Sequence, residues 1–172
     1  MKGHPGGMEH SLNMLTLSQL LPGSSILDMG AGAGETVRLF RNREYKVRGM
    51  DLKPQSEEVE QGDFLQSGFS EELFDGIISQ CAFFVSGNVQ KALLEACRML
   101  KPGGILMLSD VCPKGQDLGR QAEEAGFLVL YAEDLTTQWK EYYIEAIWRG
   151  TADCVPCQVK YNYQMVICRK KE

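Results

Sequence analysis

The sequence contains few of the features that direct a protein to a membrane or to nucleic acid. No run approaches the ~18 consecutive apolar residues of a spanning helix, and the opening MKGHPGGMEH has no apolar core of an export signal. The 18 Lys and Arg residues are scattered and outnumbered by 23 Asp and Glu residues, which argues against a basic nucleic-acid face. We therefore expect a soluble, cytoplasmic protein with a small-molecule substrate and neither a nucleic-acid nor a membrane partner. The oligomeric state stays open.

Metal-binding patterns are also scarce. The chain has only two histidines, His4 and His10, and its single CxxC pair, Cys154 and Cys157, has no second pair at zinc-finger spacing. We predict no metal site. The six cysteines should be mostly reduced thiols, because disulfides are uncommon in the cytosol.

What the chain does have is enough apolar material for one domain, residues 1–172, at 44% hydrophobic composition. Strand-like and helix-like segments alternate along it, which predicts an α/β sheet with helices on both faces. Residues 1–22 form an N-terminal segment whose helical pattern stops at Pro22-Gly23. The strongest helix pattern spans residues 88–100 and is followed by KPGG and the apolar strand ILMLSD.

The most informative stretch is SSILDMGAGAGE, residues 24–35. A strand, then Asp28, Gly30, Gly32 and Gly34, then a helix places backbone N–H groups against a ligand that approaches closely. The spacing D-x-G-x-G-x-G differs from the G-x-G-x-x-G of dehydrogenases. A carboxylate here would repel a pyrophosphate and attract an amino group, so the loop favours S-adenosylmethionine.

Two further acidic residues follow along the chain, one suited to the ribose and the next to the adenine of such a ligand. Asp51 ends the second strand and can accept bonds from both ribose hydroxyls. Asp63, in QGDF, can accept from the adenine amino group, and Phe64 can flank the ring.

With these residues, the chain resembles the class I S-adenosylmethionine-dependent methyltransferases over nearly its whole length, through ILDMGAGAGE, GMDL, GDF, FDGIISQC and ACRMLKPGGILMLSDV. The resemblance implies a Rossmann-like, seven-stranded, mostly parallel sheet whose last strand is antiparallel. It also implies the cofactor S-adenosyl-L-methionine, the product S-adenosyl-L-homocysteine, and methyl transfer to a small molecule. The implied cofactor contacts are Asp28, Gly30, Ala31, Gly32, Gly34, Asp51, Leu52, Asp63, Phe64, Gln80 and Cys81.

One connection departs from the family pattern. Only eleven residues separate Asp51 from Asp63, where the family normally has a full helix. We expect at most one helical turn there and a thinned sheet edge.

The acceptor side is less defined. No catalytic residue is assigned, and the candidates are His4, His10 and Cys81; a dedicated base need not exist, because the sulfonium is already activated. Phe83, Phe84 and Cys112 are candidate substrate contacts.

Three alternatives remain open. ISQC and LSDV resemble the corresponding stretches of arsenite methyltransferases, which suggests methylation of arsenite or another thiophilic metalloid through Cys81, although no convincing second cysteine region follows. Cys81 can equally be a small apolar residue beside the cofactor. A protein of this fold that binds the cofactor without turnover is the second alternative. A nicotinamide-dependent oxidoreductase is the third, and Asp28 disfavours it.

Overall fold

The computed structural model describes residues 5–150 and 160–172. Within these ranges, the helices are α1 Gly7–Ser18, α2 Glu35–Arg41, α3 Val89–Met99, α4 Leu118–Glu124 and α5 Thr136–Trp148. The strands are β1 Ser25–Met29, β2 Lys46–Asp51, β3 Val59–Gln61, β4 Phe74–Gln80, β5 Leu100–Pro113, β6 Phe127–Asp134 and β7 Tyr161–Lys170. None of the described helices has the length and apolar character needed to cross a bilayer.

The strands form one sheet in the order β3-β2-β1-β4-β5-β7-β6. Strands β1 to β5 pair in parallel, whereas β7 is antiparallel to both β5 and β6. This arrangement confirms the expected Rossmann-like α/β fold with an antiparallel last strand. The order reverses between β1 and β4, and ligands of open α/β sheets bind beyond the carboxyl ends of the strands at such a point.

The core lies in two layers, one on each face of the sheet. One layer packs α3 and α4 against the sheet through residues such as Leu93 and Leu106, and the other packs α1 and α2 through Met14 and Val37. The inner strands are apolar on both faces because helices cover both sides. The buried side chains thereby fix where the carboxyl ends of β1, β2 and β4 lie.

Helix α3 begins and ends close to its predicted limits. The side chain of Asn88 caps it by accepting from the N–H of Lys91 at 3.0 Å. The KPGG segment, residues 101–104, follows the helix as the sequence indicates, and it lies inside β5 as a bulge. The register shifts there, from Phe74 opposite Leu100 to Gly76 opposite Ile105.

The short connection after β2 contains no helix among its described residues. It carries only the three-residue strand β3 at the sheet edge, parallel to β2, with Val59 buried. The thinned edge that the short spacing predicts is therefore present.

Candidate cofactor site

The loop after β1 is fastened to the end of β2 by backbone hydrogen bonds. The N–H groups of Gly30 and Ala31 both donate to the carbonyl oxygen of Met50, at 2.8 and 3.1 Å. The N–H of Gly34 donates back to Ala31 at 2.7 Å and closes the turn that leads into α2. The loop is thus shaped before any ligand arrives.

The glycines of this loop have different roles. All three have positive φ, at 88° for Gly30, 50° for Gly32 and 75° for Gly34. A Cβ at Gly30 would lie 2.3 Å from the Cβ of Ala82, so this glycine is required by packing. A Cβ at Gly32 would meet no heavy atom within 4 Å. Gly32 therefore faces open space that a ligand can occupy.

Asp28 lies in β1 behind this loop, and its residue surface is 4% exposed. Burial, and secondarily the negative charge of Asp51, raise the pKa of its carboxyl to about 7. An ammonium group placed beside Asp28 would remove the cost of holding this charge in the interior. The charge of Asp28 therefore favours a cation at this position.

Asp51 joins the loop to the end of β2. Its Oδ2 accepts from the N–H of Gly32 at 2.9 Å, and its Oδ1 accepts from the N–H of Lys53 at 2.8 Å. Each carboxylate oxygen has a second acceptor position, so both can still receive a ligand hydroxyl. The next residue, Leu52, is 56% exposed.

Asp63 and Phe64 stand after the short strand β3. The Oδ1 of Asp63 accepts from the N–H of Leu65 at 2.8 Å and so caps a 3-10 turn, Phe64–Gln66. The ring of Phe64 is buried against Phe83, with ring centroids 5.6 Å apart. Its Cε1 lies 3.8 Å from where a Cβ on Gly30 would stand. The structure thus brings Phe64 to the glycine loop.

At the end of β4, Gln80 links two helices to the sheet. Its Oε1 accepts from the hydroxyls of Ser11 in α1, at 3.1 Å, and Thr36 in α2, at 3.3 Å. The N-terminal helix is thereby held over the carboxyl edge of the sheet.

Cys81 follows with φ of 58°, a left-handed conformation that is uncommon outside glycine. Its Sγ lies 3.3 Å from the Oη of Tyr163. Burial, together with the charge of Asp110, raises the pKa of the Cys81 thiol to about 12. The thiol is therefore neutral at physiological pH.

The candidate acceptor residues differ in their burial and in what surrounds them. Phe83 and Cys112 are fully buried in the core, so neither has a surface for a substrate in this conformation. Phe84 is half-buried and packs edge-on against Tyr161 at 5.3 Å. His10 lines a pocket of 260 Å³ between α1 and the region where β6 meets α5. His4, Cys154 and Cys157 lie outside the described residues.

The structure adds residues that the motifs did not single out. Asp110, at the carboxyl end of β5, is 1% exposed and accepts from the N–H of Phe84 at 3.0 Å, which holds the loop after β4. Burial raises its pKa to about 6. Tyr163 in β7 also contacts the Oγ of Ser109, at 3.1 Å. Neither residue carries a local sequence signal, because the contact of Asp110 depends on the pairing of β4 with β5 and that of Tyr163 on the pairing of β5 with β7.

Among the described residues, no group of three or more His, Cys, Asp or Glu side chains could hold a metal ion. The sheet order, the open glycine turn after β1 and the acid at the end of β2 form a Rossmann-like α/β architecture in which small ligands bind beyond the carboxyl ends of the strands.

Comparison with known proteins points to methyltransferases. Residues 27–108 match the model of the methyltransferase domain family. Malonyl-[acyl-carrier protein] O-methyltransferase 1 of Coxiella burnetii is 36% identical over 95 residues, which are 51% of this chain and 34% of the relative. These matches support a class I S-adenosylmethionine-dependent methyltransferase, a family whose methyl donor is S-adenosylmethionine.

Solved structures agree on the fold. The phosphoethanolamine N-methyltransferase 2 of Haemonchus contortus, in complex with S-adenosyl-L-methionine, superposes with a TM-score of 0.79 at 18% identity, covering 98% of this chain and 54% of that one. The geranyl diphosphate C-methyltransferase of Streptomyces coelicolor A3(2) has a TM-score of 0.73 at 16% identity, covering 95% and 76%. The chain thus spans about a third of its curated relative and about half of the nematode enzyme.

Proposed function

We propose that the protein transfers a methyl group from S-adenosylmethionine to a small-molecule acceptor. The observation that carries this proposal is the burial of Asp28, which forms no ion pair with any residue in the described part of the chain, together with the open space at Gly32. S-adenosylmethionine offers an ammonium group for such an acid and has no phosphate that the acid would repel.

Each part of the cofactor has a partner on the chain. Asp28 would neutralise the ammonium, and the turn at Gly32 would lie against the methionine part. Asp51 would accept from the ribose hydroxyls with the lone pairs that Gly32 and Lys53 leave free. Asp63 would accept from the adenine amino group, and Phe64, which is 6% exposed, would flank the ring with the small part of its surface that remains accessible.

Methyl transfer from S-adenosylmethionine depends more on the positioning of the cofactor and the acceptor than on acid or base groups. The sulfonium supplies an activated methyl group, and the transfer is an in-line displacement. Gln80 contributes by holding α1 and α2 against the strand end. Asp110 contributes by fixing the loop after β4 through its bond from Phe84. Gln80 and Asp110 would thereby restrict the positions that an acceptor molecule can occupy.

The metalloid alternative has no observation in its favour. Arsenite is bound by thiolates, and the raised pKa keeps Cys81 neutral while Cys112 is fully buried. The relatives also differ in what their names say they methylate: an oxygen of a malonyl-[acyl-carrier protein], a nitrogen of phosphoethanolamine or a carbon of geranyl diphosphate. The fold therefore leaves the acceptor open.

The test is turnover with a panel of small acceptors, monitored as release of S-adenosylhomocysteine. We expect release above the acceptor-free rate with at least one class of acceptor. An Asp51→Ala variant should lose this activity, whereas Glu57→Ala, an exposed acid in the same connection, should keep it. Cofactor binding without release for any acceptor would instead identify a binding protein of this fold.

A further inference from the structure

The turn that ends β4 has a backbone conformation that its residue does not favour. Cys81 has a φ of 58°, in the left-handed region where a Cβ is crowded by the following carbonyl oxygen. Such a conformation persists only where the surrounding structure holds it. We propose that Tyr163 of β7 is the positioning residue that holds this turn, and that it thereby fixes the turn against the glycine loop. The inference rests on the proposed function, since that loop is where S-adenosylmethionine is expected.

The side chain of Tyr163 reaches across two neighbouring strands. β7 pairs with β5 and β5 pairs with β4, so the end of β4 is two strands away. The Tyr163 hydroxyl donates to the Oγ of Ser109 in β5 at 3.1 Å, and its oxygen lies 3.3 Å from the Sγ of Cys81. The carbonyl oxygen of Ser109 also accepts from the N–H of Cys81, at 2.9 Å. One hydroxyl group therefore contacts both the side chain of Cys81 and the residue that anchors its backbone.

The position of this hydroxyl is fixed by the start of α5. The N–H of Tyr163 donates to the Oγ1 of Thr136 at 3.0 Å, and its carbonyl oxygen accepts from the N–H of Leu135 at 2.8 Å. The ring stacks on Trp139, with ring planes 5° apart. Tyr163 is only 1% exposed, so it has no surface for a cofactor or an acceptor in this conformation. It can influence the site only through the residues that it contacts.

The turn at Cys81 determines where Ala82 packs against the glycine loop. The Cβ of Ala82 occupies the space that a side chain on Gly30 would need. The N–H of Gly30 is bonded in turn to the carbonyl oxygen of Met50, at 2.8 Å. If Cys81 relaxed to a negative φ, the chain would leave β4 in another direction and the contact between Ala82 and Gly30 would be lost. The Tyr163 hydroxyl is thus connected to the glycine loop through a short and continuous path.

Tyr163→Phe tests the inference, because it removes only the hydroxyl and keeps the ring that stacks on Trp139. We expect the affinity for S-adenosylhomocysteine, measured by calorimetry, to fall by at least about fivefold. Tyr45→Phe is the matched control. It removes a hydroxyl that donates to the carbonyl oxygen of Leu20 at 2.8 Å, before the amino end of β2, and it should change that affinity by less than about twofold.

A second background separates positioning of the turn from general support of the fold. Glycine adopts a positive φ without the crowding that a Cβ causes, so a Cys81→Gly protein does not need Tyr163 to hold the turn. In that background, we expect Tyr163→Phe to lower the affinity for S-adenosylhomocysteine by less than about twofold. Cys81→Asn offers the same comparison if the glycine variant does not fold, because asparagine also tolerates the left-handed region.

An equal loss of affinity in the wild-type and Cys81→Gly backgrounds would overturn the inference, because the hydroxyl would then support the fold in general. An unchanged affinity in Tyr163→Phe alone would overturn it as well. Failure of the wild-type protein to bind S-adenosylhomocysteine would instead overturn the proposed function itself.

Discussion

At the ends of β1 and β2, the carboxylate of Asp51 is held by the backbone N–H groups of Gly32 and Lys53. At the ends of β4 and β5, a cluster of side chains forms across three strands: Tyr163 of β7 contacts both Cys81 and Ser109. We refer to the first region, with Asp28 and the glycine loop, as the cofactor half, and to the second as the acceptor half.

The two halves differ in the sequence separation of the residues that form them. The cofactor half is built within 30 consecutive residues, 24–53, so a local motif determines its shape. The acceptor half combines residues 81, 109 and 163, which the sheet pairing alone brings together. A binding loop that is shaped by backbone hydrogen bonds suits a cofactor that a whole family shares. A side-chain cluster can be replaced residue by residue, which suits an acceptor that differs among relatives.

The largest expected effect is that of Gly30→Ala on folding. The added Cβ would meet the Cβ of Ala82 and would sit at φ of 88°. Left-handed strain and overpacking together should lower the free energy of unfolding by about 3 kcal/mol, measured by urea denaturation of the apoprotein.

Gly32→Ala is the matched variant, since its Cβ meets nothing. It should cost only about 1 kcal/mol of stability but should abolish cofactor binding. Equal destabilisation by the two variants would contradict the separate roles assigned to these glycines.

The second expected effect is a pH dependence that originates at Asp28. Because its pKa is raised from 3.8 to about 7 in the folded protein, the folded state binds more protons than the unfolded state between pH 4 and 7. The free energy of unfolding should therefore fall as pH rises through this window, by about 3 kcal/mol from this group.

Asp28→Asn should remove that part of the fall, and subtracting its profile from the wild-type profile cancels the same-direction contribution of Asp110. Cofactor binding favours the ionised carboxylate, so binding near pH 6 should release a proton, seen by calorimetry in buffers of different ionisation enthalpy. Superimposable pH profiles for the two proteins would show that Asp28 is not the buried titrating group.

Asp51→Ala should weaken S-adenosylhomocysteine binding by about 1.5 to 3 kcal/mol, because two charge-assisted bonds to ribose hydroxyls are lost. Asp51→Asn keeps one acceptor oxygen and should lose less. Calorimetry measures both affinities, and an unchanged affinity in Asp51→Ala would mean that the ribose lies elsewhere.

The smallest effect is expected in the acceptor half. Cys81→Ser should change S-adenosylhomocysteine affinity by less than about 1 kcal/mol, because the neutral thiol contributes only one weak contact with Tyr163. Wild-type protein incubated with arsenite, thiol and S-adenosylmethionine should yield no methylated arsenic. Its formation, with loss in Cys81→Ser, would restore the metalloid alternative.

These contrasts also explain what the sequence could predict. The position of Asp28, Gly30 and Gly32 between β1 and α2 could be predicted because strand, turn and helix follow one another directly in the chain. The burial of Phe83 beside the half-buried Phe84 could not, since adjacent side chains point in different directions and only the fold shows which one enters the core. Tyr163 and Asp110 were missed because their partners are 82 and 26 positions away. The KPGG bulge depends likewise on the pairing of β4 with β5.

Calorimetry with S-adenosylhomocysteine and, in parallel, with NAD tests whether the cofactor half binds S-adenosylmethionine and its product. We expect saturable one-site binding of S-adenosylhomocysteine and no heat from NAD at the same concentrations. Binding of NAD instead, or no binding of S-adenosylhomocysteine at millimolar concentration, would contradict it.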